Sequence, residues 1–426
     1  MYKSALILSC LVCFFCNISG QSEWGKAAAF NGAVKIEPVI SFQFWTTYTQ
    51  HMKVFNASLK QYELVEDRIN FQFRRARFGL KGQLTDHFRF TFIGAYDLTG
   101  RDLFSATSGG SNTGSLPGFG LWDAFAEWKL TKKKESLNLI FGWFRPQFSR
   151  ESITGAWAIS SFEKAMSQNY IRLHLTGIGS GRAAGIHLGG LLKNKKNKIF
   201  GQYHIGVFSP QYFKYASNSA GINTSLLKSV RFVYFIGDPE MNKYGISYLT
   251  NYFNKRKGLS LALSYSTQGQ TDLFMRNYAI QPDILLNWGS FNLDAEWNFM
   301  NRLSLENKRR YSEGAGHIRL SNNIKLFGLF FEPTIMYVSY RGGKDTASQL
   351  LANVLHTSAG TEDNLDIGIN LYLNQNKFKI AFHHIWNWGN MGEASPGFSQ
   401  NLYFRQNVLG AILRGNYWGI GINGMF

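Results

Sequence analysis

Cysteine is almost missing from this chain: of 426 residues only Cys10, Cys13 and Cys16 are cysteines, all near the start. They sit in a segment built like a cleavable signal peptide. Lys3 forms a short positive region, Ala5 to Phe15 an apolar stretch, and Ile18-Ser19-Gly20 offers a small residue before Gln21. The apolar stretch is too short for a spanning helix, which needs about 20 residues. A lipid-anchored cysteine fits poorly, because Phe15 is too bulky before Cys16 and Cys10 leaves hardly any apolar run. A mature chain beginning after residue 20 has no cysteine, which excludes disulfides, thiolate metal sites and cysteine nucleophiles. Proline is scarce at 8 residues. No later stretch runs 18 residues without polar interruption, so no membrane helix is expected. Catalytic signals are thin too. No acidic pair has telling spacing, and the nine histidines form no ligand motif. His383 and His384 are neighbours on an expected strand and so face opposite sides. Gly419-x-Gly421-x-x-Gly424 imitates a dinucleotide fingerprint, but no helix follows it. The reading is therefore no enzyme, no catalytic residues, no metal and no cofactor.

What the chain does have is aromatic residues, 16%, and 43 glycines, in a recurring period-2 pattern. Val34, Ile36, Ile40, Phe42 and Phe44 alternate with Lys35, Glu37, Ser41 and Gln43. Phe88, Phe90 and Phe92 alternate with His87, Arg89 and Thr91. Leu259 to Ser266, Phe291 to Phe299 and Leu365 to Leu373 repeat the pattern. Successive side chains of a strand point to opposite faces, so each segment has one greasy and one polar surface. A soluble sandwich would alternate likewise. Three features favour a transmembrane antiparallel β-barrel: the aromatic apolar face, strands along nearly the whole chain, and connections that alternate short and long. In lipid only helices and closed barrels satisfy every backbone hydrogen bond.

The short connections are Gln83 to Asp86, Thr131 to Ser136, Lys193 to Lys198, Ser321 to Asn323 and Asn374 to Asn376. The long ones are roughly 49–66, 99–120, 146–182, 209–227, 342–363 and 388–401. Counting gives about 16 strands, with 14 and 18 as the neighbouring counts. The count is open at two places: Gly237 to Lys257 leaves room for an extra hairpin, and Leu402 to Phe426 reads as one long strand or two short ones. Trp418, Ile420, Ile422 and Phe426 share one face, as expected of a closing strand. The expected organisation is a signal peptide over 1–20, an arm over 21–33 and a barrel over 34–426.

Four stretches resemble a known family, the phosphate-selective porins O and P and their relatives in the Bacteroidetes. They are Arg74-Arg75-Ala76-Arg77-Phe78-Gly79-Leu80-Lys81-Gly82, Gly142 to Glu151 (GWFRPQFSRE), Ile205-Gly206-Val207-Phe208 and Asp366 to Asn374 (DIGINLYLN). The resemblance implies a 16-stranded barrel in the outer membrane of a Gram-negative bacterium, a homotrimer, with the third external loop, here 146–182, folded into the lumen. It also implies anion preference through lysines and arginines at a constriction.

The formal net charge is +18, of which Lys3 supplies one unit, leaving +17 without the leader. Nucleic acid is not expected as the partner of an exported chain; anionic lipid and anionic solutes are. Ten basic residues, Lys132 to Lys134, Lys193, Lys195, Lys196, Lys198 and Lys255 to Lys257, fall in short-side connections; with Glu135 they give net +9, leaving +8 elsewhere. Two sets remain as candidates for lining the pore. Around Arg74, Arg75, Arg77 and Lys81 the alternation changes phase, from Ile69, Phe71 and Phe73 to Ala76, Phe78 and Leu80. A bulge at Arg74-Arg75 would turn Arg75, Arg77 and Lys81 inward, where lipid does not penalise a charge by about 2–4 kcal/mol. The competing reading pairs these cations with Asp123 and Glu127. The second set is Arg145, Arg150, Lys164, Arg172 and Arg182 against Glu151 and Glu163, net +3. The expected function is passive diffusion of small polar solutes with mild anion, including phosphate, preference. The alternative is a porin-like barrel serving as a structural subunit with other outer-membrane proteins.

Overall fold

The computed structural model describes residues 28–30, 34–56, 58–100, 118–131, 134–210, 223–375, 377–401, 405–406 and 410–426. The expected signal peptide, most of the arm, Lys132 and Lys133 lie outside the described residues.

Sixteen antiparallel strands close on themselves. In chain order they are β1 (Val34–Gln50), β2 (Arg68–Gln83), β3 (Phe88–Gly100), β4 (Gly118–Lys129), β5 (Asn138–Phe144), β6 (Ala183–Lys193), β7 (Ile199–Ser209) and β8 (Leu227–Gly237). Then follow β9 (Gly258–Gln268), β10 (Arg276–Trp288), β11 (Phe291–Leu303), β12 (Arg310–Asn322), β13 (Leu329–Arg341), β14 (Thr361–Asn374), β15 (Phe378–Asn390) and β16 (Asn416–Met425). Each pairs with its sequence neighbour. β16 returns to β1 in a register running from Ser41↔Met425 to Gln50↔Asn416, so the sheet has no free edge. The last stretch resolves into β16 and two short strands outside the barrel, Arg405–Gln406 and Gly410–Leu413. The second of these joins Lys53–Asn56 and Gln61–Leu64 in a small sheet at the end of the long loops. Among the described residues no helix is long and apolar enough to cross a membrane.

Burial separates the barrel from a sandwich. On β2, Ile69, Phe71 and Phe73 are 58%, 59% and 45% exposed, whereas Asn70 and Gln72 between them are 1% exposed. On β11, Asn292, Asp294, Glu296 and Asn298 are buried while Phe291 and Phe299 are exposed. A water-soluble fold would bury the apolar set, since burial is worth roughly 25 cal/mol per Å². Turning the apolar face outward is favourable only where the surroundings are themselves apolar.

The β2 ladder shows the extra residue. Gln43 pairs with Arg75 but Phe44 with Phe73, so Arg74 is the bulge. Gly237 to Lys257 contains no hairpin; beyond Gly237, which ends β8, it makes one isolated bridge, Tyr248 to Thr154. It is a long connection at the short-turn end, and it folds inward.

Candidate functional site

Two segments fill the barrel from opposite ends. The first, between β5 and β6, enters from the long-loop end through Pro146. Ser149 caps the helical turn α1 (Arg150–Ile153) by accepting from Ser152 N, and Gly177, in the left-handed region at φ 75°, ends helix α2 (Ser167–Thr176). Polar groups tie this segment to the β8–β14 wall. Ser149 Oγ and Glu151 N donate to Glu296, Ser160 Oγ to Glu332, Phe162 N to Asp366, and Tyr170 Oη to Glu362. Glu151, Asp294 and His317 bring ligand-type atoms within 4.8 Å of one another. Arg319, however, donates to both carboxylates at 3.0 Å, which makes the cluster an anchor for Glu151. Burial pushes the Glu151 carboxyl up, but Arg319 and His317 outweigh it and hold it at about 2.

The second segment, 238–257, enters from the short-turn end. Tyr244 and Tyr248 meet a buried histidine pair: His187 Nε2 lies 2.8 Å from Tyr244 Oη and 3.0 Å from His204 Nδ1, and His204 Nε2 lies 2.8 Å from Tyr248 Oη. Thr250 Oγ1 donates to Ala158 O, joining the two segments. Arg256, expected as turn decoration, is buried and donates to Asn287 and Ser260.

Beside these two segments a cavity of about 790 Å³ remains against β1–β5. Seven of the nine predicted basic residues line it: Arg75, Arg77, Lys81, Arg145, Lys164, Arg172 and Arg182. The sequence reading missed Lys35, Arg89 and Lys243, which line it too. Arg89 was visible as the polar partner of Phe88 and Phe90, but alternation alone does not say which inward charge reaches open space. Three carboxylates, Glu37, Asp123 and Glu127, face the ten cations.

Ion pairing sorts these cations. Arg74 Nε and Arg75 Nη2 donate to Glu163 at 2.8 and 2.7 Å, and Arg75 Nη1 to Gln43 at 2.7 Å. Arg77 pairs with Asp97, with a second contact from Nη2 at 2.9 Å. The expected partners for this cluster were Asp123 and Glu127; instead Asp123 takes Arg182 Nε at 2.9 Å. Trp122 lies between Arg77 and Arg182, each 3.8 Å from its ring centroid. Arg74 lies over Trp45 and does not line the cavity. Arg150 does not line it either; it is buried against Glu240 and Asp283.

Seven of the ten cavity cations have no carboxylate within ion-pair range among the described residues: Lys35, Lys81, Arg89, Lys243 and, on the first inserted segment, Arg145, Lys164 and Arg172. Arg145 Nη1 and Arg172 Nη2 both donate to Ser152 O at 2.7 Å, and Lys164 Nζ to Thr154 O at 2.7 Å and to Glu151 O. Burial, reinforced by Arg182 and Arg75, pushes the Arg172 guanidinium down to about 9. Burial and Arg172 push the Lys164 ammonium well below its usual value. Burial is the larger cause of both shifts; the neighbouring cations add to it and Glu151 opposes it. Elsewhere, His383 is buried against Asp366, while its neighbour His384 packs on Trp418.

Strand closure, outward apolar faces and a charged interior with an inserted loop define a porin-type β-barrel. More particularly, the chain is similar to the family described as phosphate-selective porin O and P, whose model matches residues 47–230. That span carries Arg74, Arg75 and Arg77 and the whole of the first inserted segment. Among solved structures, Salmonella typhi OmpF in complex with daunomycin is similar at TM-score 0.56 and 12% identity, covering 93% of this chain and 99% of that one. An anion-selective porin from Comamonas acidovorans is similar at 0.54 and 11%, covering 92% and 100%. The trimer form of OmpT from Vibrio cholerae is similar at 0.52 and 9%, covering 92% and 100%. At these identities the likeness shows the fold. No curated protein matches the chain.

Proposed function

We propose that this barrel is an outer-membrane channel for small polar solutes with a preference for anions. Its short turns face the periplasm and its long loops the exterior. The observation that carries the preference is the set Arg145, Lys164 and Arg172, held by carbonyl and hydroxyl oxygens with no carboxylate against them. At about 4 Å each such charge attracts an anion by roughly 1–4 kcal/mol, for an effective dielectric of 80 down to 20. Arginine and lysine at a narrow passage raise anion occupancy and repel cations. The anion-selective porin from Comamonas acidovorans shares the fold and supports the reading by analogy only.

The test is the reversal potential of the purified barrel in a planar bilayer under a KCl gradient. Its sign should report anion preference; cation preference would sink the reading. Three copies side by side, as in the trimer form of OmpT, are the assembly expected, and chemical cross-linking in membranes reads it. One observation favours the second reading, a structural barrel: the inserted segments meet inside and tie to the walls. Absence of single-channel steps from correctly folded barrel would select it.

A further inference from the structure

The cavity has an arrangement that a site for bare inorganic anions does not need. Strand register divides its wall into levels. At the inner level, Arg77 on β2 stands beside Ser41 on β1, with Arg145, Arg172 and Arg182 lining the same cavity. Two residues along each strand toward the short-turn end come Val39, Gly79 and Ile93, adjacent across β1, β2 and β3. None of these three carries a polar side chain; the belt ends at β4, where Asp123 stands beside Ile93. Two residues further on, Glu37 pairs across the ladder with Lys81, and charge returns. At about 3.4 Å per residue, the apolar belt lies roughly 7 Å along the strand from the level of Arg77. Met241 and Ile246, from the segment inserted from the short-turn end, line the same cavity.

We propose that this cavity takes an anion carrying an apolar body, an organic carboxylate, phosphonate or phosphate monoester, in preference to a bare inorganic anion. The inference rests on the anion-channel reading and names the solute class of that same site. The acidic head sits among Arg145, Lys164 and Arg172, and the body lies against Val39 and Ile93. The volume, about 790 Å³, falls in the range of organic-ligand sites, where apolar walls meet a few placed polar groups. A hydrated inorganic ion gains nothing from the belt, whereas an apolar body loses water-exposed surface there.

Methylphosphonate and phenylphosphonate share a head group and differ in the body. Each is titrated against single-channel current of the reconstituted barrel, beside the reversal potential in a KCl gradient. Phenylphosphonate should half-block at a concentration about tenfold lower, on the scale of one buried ring against one methyl. In Val39→Thr/Ile93→Thr, which keeps β-branched residues on both strands, that ratio should fall toward one. Equal block by the two probes, with anion preference intact, overturns the inference and leaves the channel reading standing. A ratio unchanged in the double variant also overturns it. A reversal potential without anion preference brings down the channel reading itself. Should the double variant not assemble, the two probes on the natural protein still decide.

Discussion

Arg150 and Glu240 form a two-point ion pair inside the barrel, Nη1 to Oε2 at 3.0 Å and Nη2 to Oε1 at 2.8 Å. The two residues enter from opposite ends, one on each inserted segment. Both side chains are out of contact with water, and Arg150 Nε also donates to Asp283 on β10 at 2.8 Å. The pair makes the two segments one body fastened to the wall.

Removing one partner of such a pair leaves a buried charge only partly compensated, at a cost of about 3–5 kcal/mol. In Glu240→Ala, segment 238–257 should loosen, raise single-channel conductance and become accessible to protease added from the periplasmic side. Replacing both residues with methionine should restore most of the lost order, because apolar side chains of similar volume often substitute without penalty. Unchanged conductance and protection in Glu240→Ala would show that other contacts suffice.

Acid should act on the first segment through Glu151 and Glu163, both held at about 2 against an ordinary 4.5. A carboxyl depressed by folding contributes stability that is fully present above its ordinary value and is lost as pH falls toward the depressed one. Conductance should therefore be steady from neutrality to about pH 4.5. Between pH 4.5 and 2 the anchors to Arg319, Arg74 and Arg75 weaken, and larger openings should appear. Openings confined to the range above pH 5 would assign the change to other groups.

The lipid-facing surface can be tested one residue apart. Arg231 on β8 is 2% exposed, pointing inward onto Asp283, and Phe232 is 44% exposed on the outer face. Phe232→Arg should lower barrel stability in urea by about 2–4 kcal/mol, the penalty for a cation at mid-depth in lipid. Unaltered stability would mean that this face does not meet hydrocarbon.

Strand placement was legible because alternation reports the pleat directly: the phase change between Phe73 and Ala76 marked the bulge at Arg74. The filled interior was not. Residues 238–257 show no periodic signal, and their inward course depends on Glu240, Tyr248 and Asn251 meeting partners far away in sequence. Charge pairing was illegible for the same reason. Glu163, the partner of Arg74 and Arg75, lies 88 residues from Arg75 in sequence, and only the folded loop brings it there.

On the proposed anion-channel reading, pairing decides which arginines would set selectivity. Arg77 spends its charge on Asp97, and Arg75 shares Glu163 with Arg74, so both are partly neutralised by direct ion pairs. Arg145 and Arg172 face an anion in the cavity with only carbonyl and hydroxyl oxygens behind them. Replacing the first two with glutamine removes two positive charges but leaves Asp97 without its partner and Glu163 held by Arg74 alone, which loosens the loop. Replacing the second two removes charge that no direct ion pair balances. In Arg145→Gln/Arg172→Gln the reversal potential in a KCl gradient should move clearly toward cation permeation at unchanged conductance. In Arg75→Gln/Arg77→Gln the main change should be in conductance and its noise, as the anchor at Glu163 weakens. A channel whose selectivity survives loss of Arg145 and Arg172 draws it from the charged rim around Lys35, Lys81 and Arg89, and the inner cluster would then have no part in it.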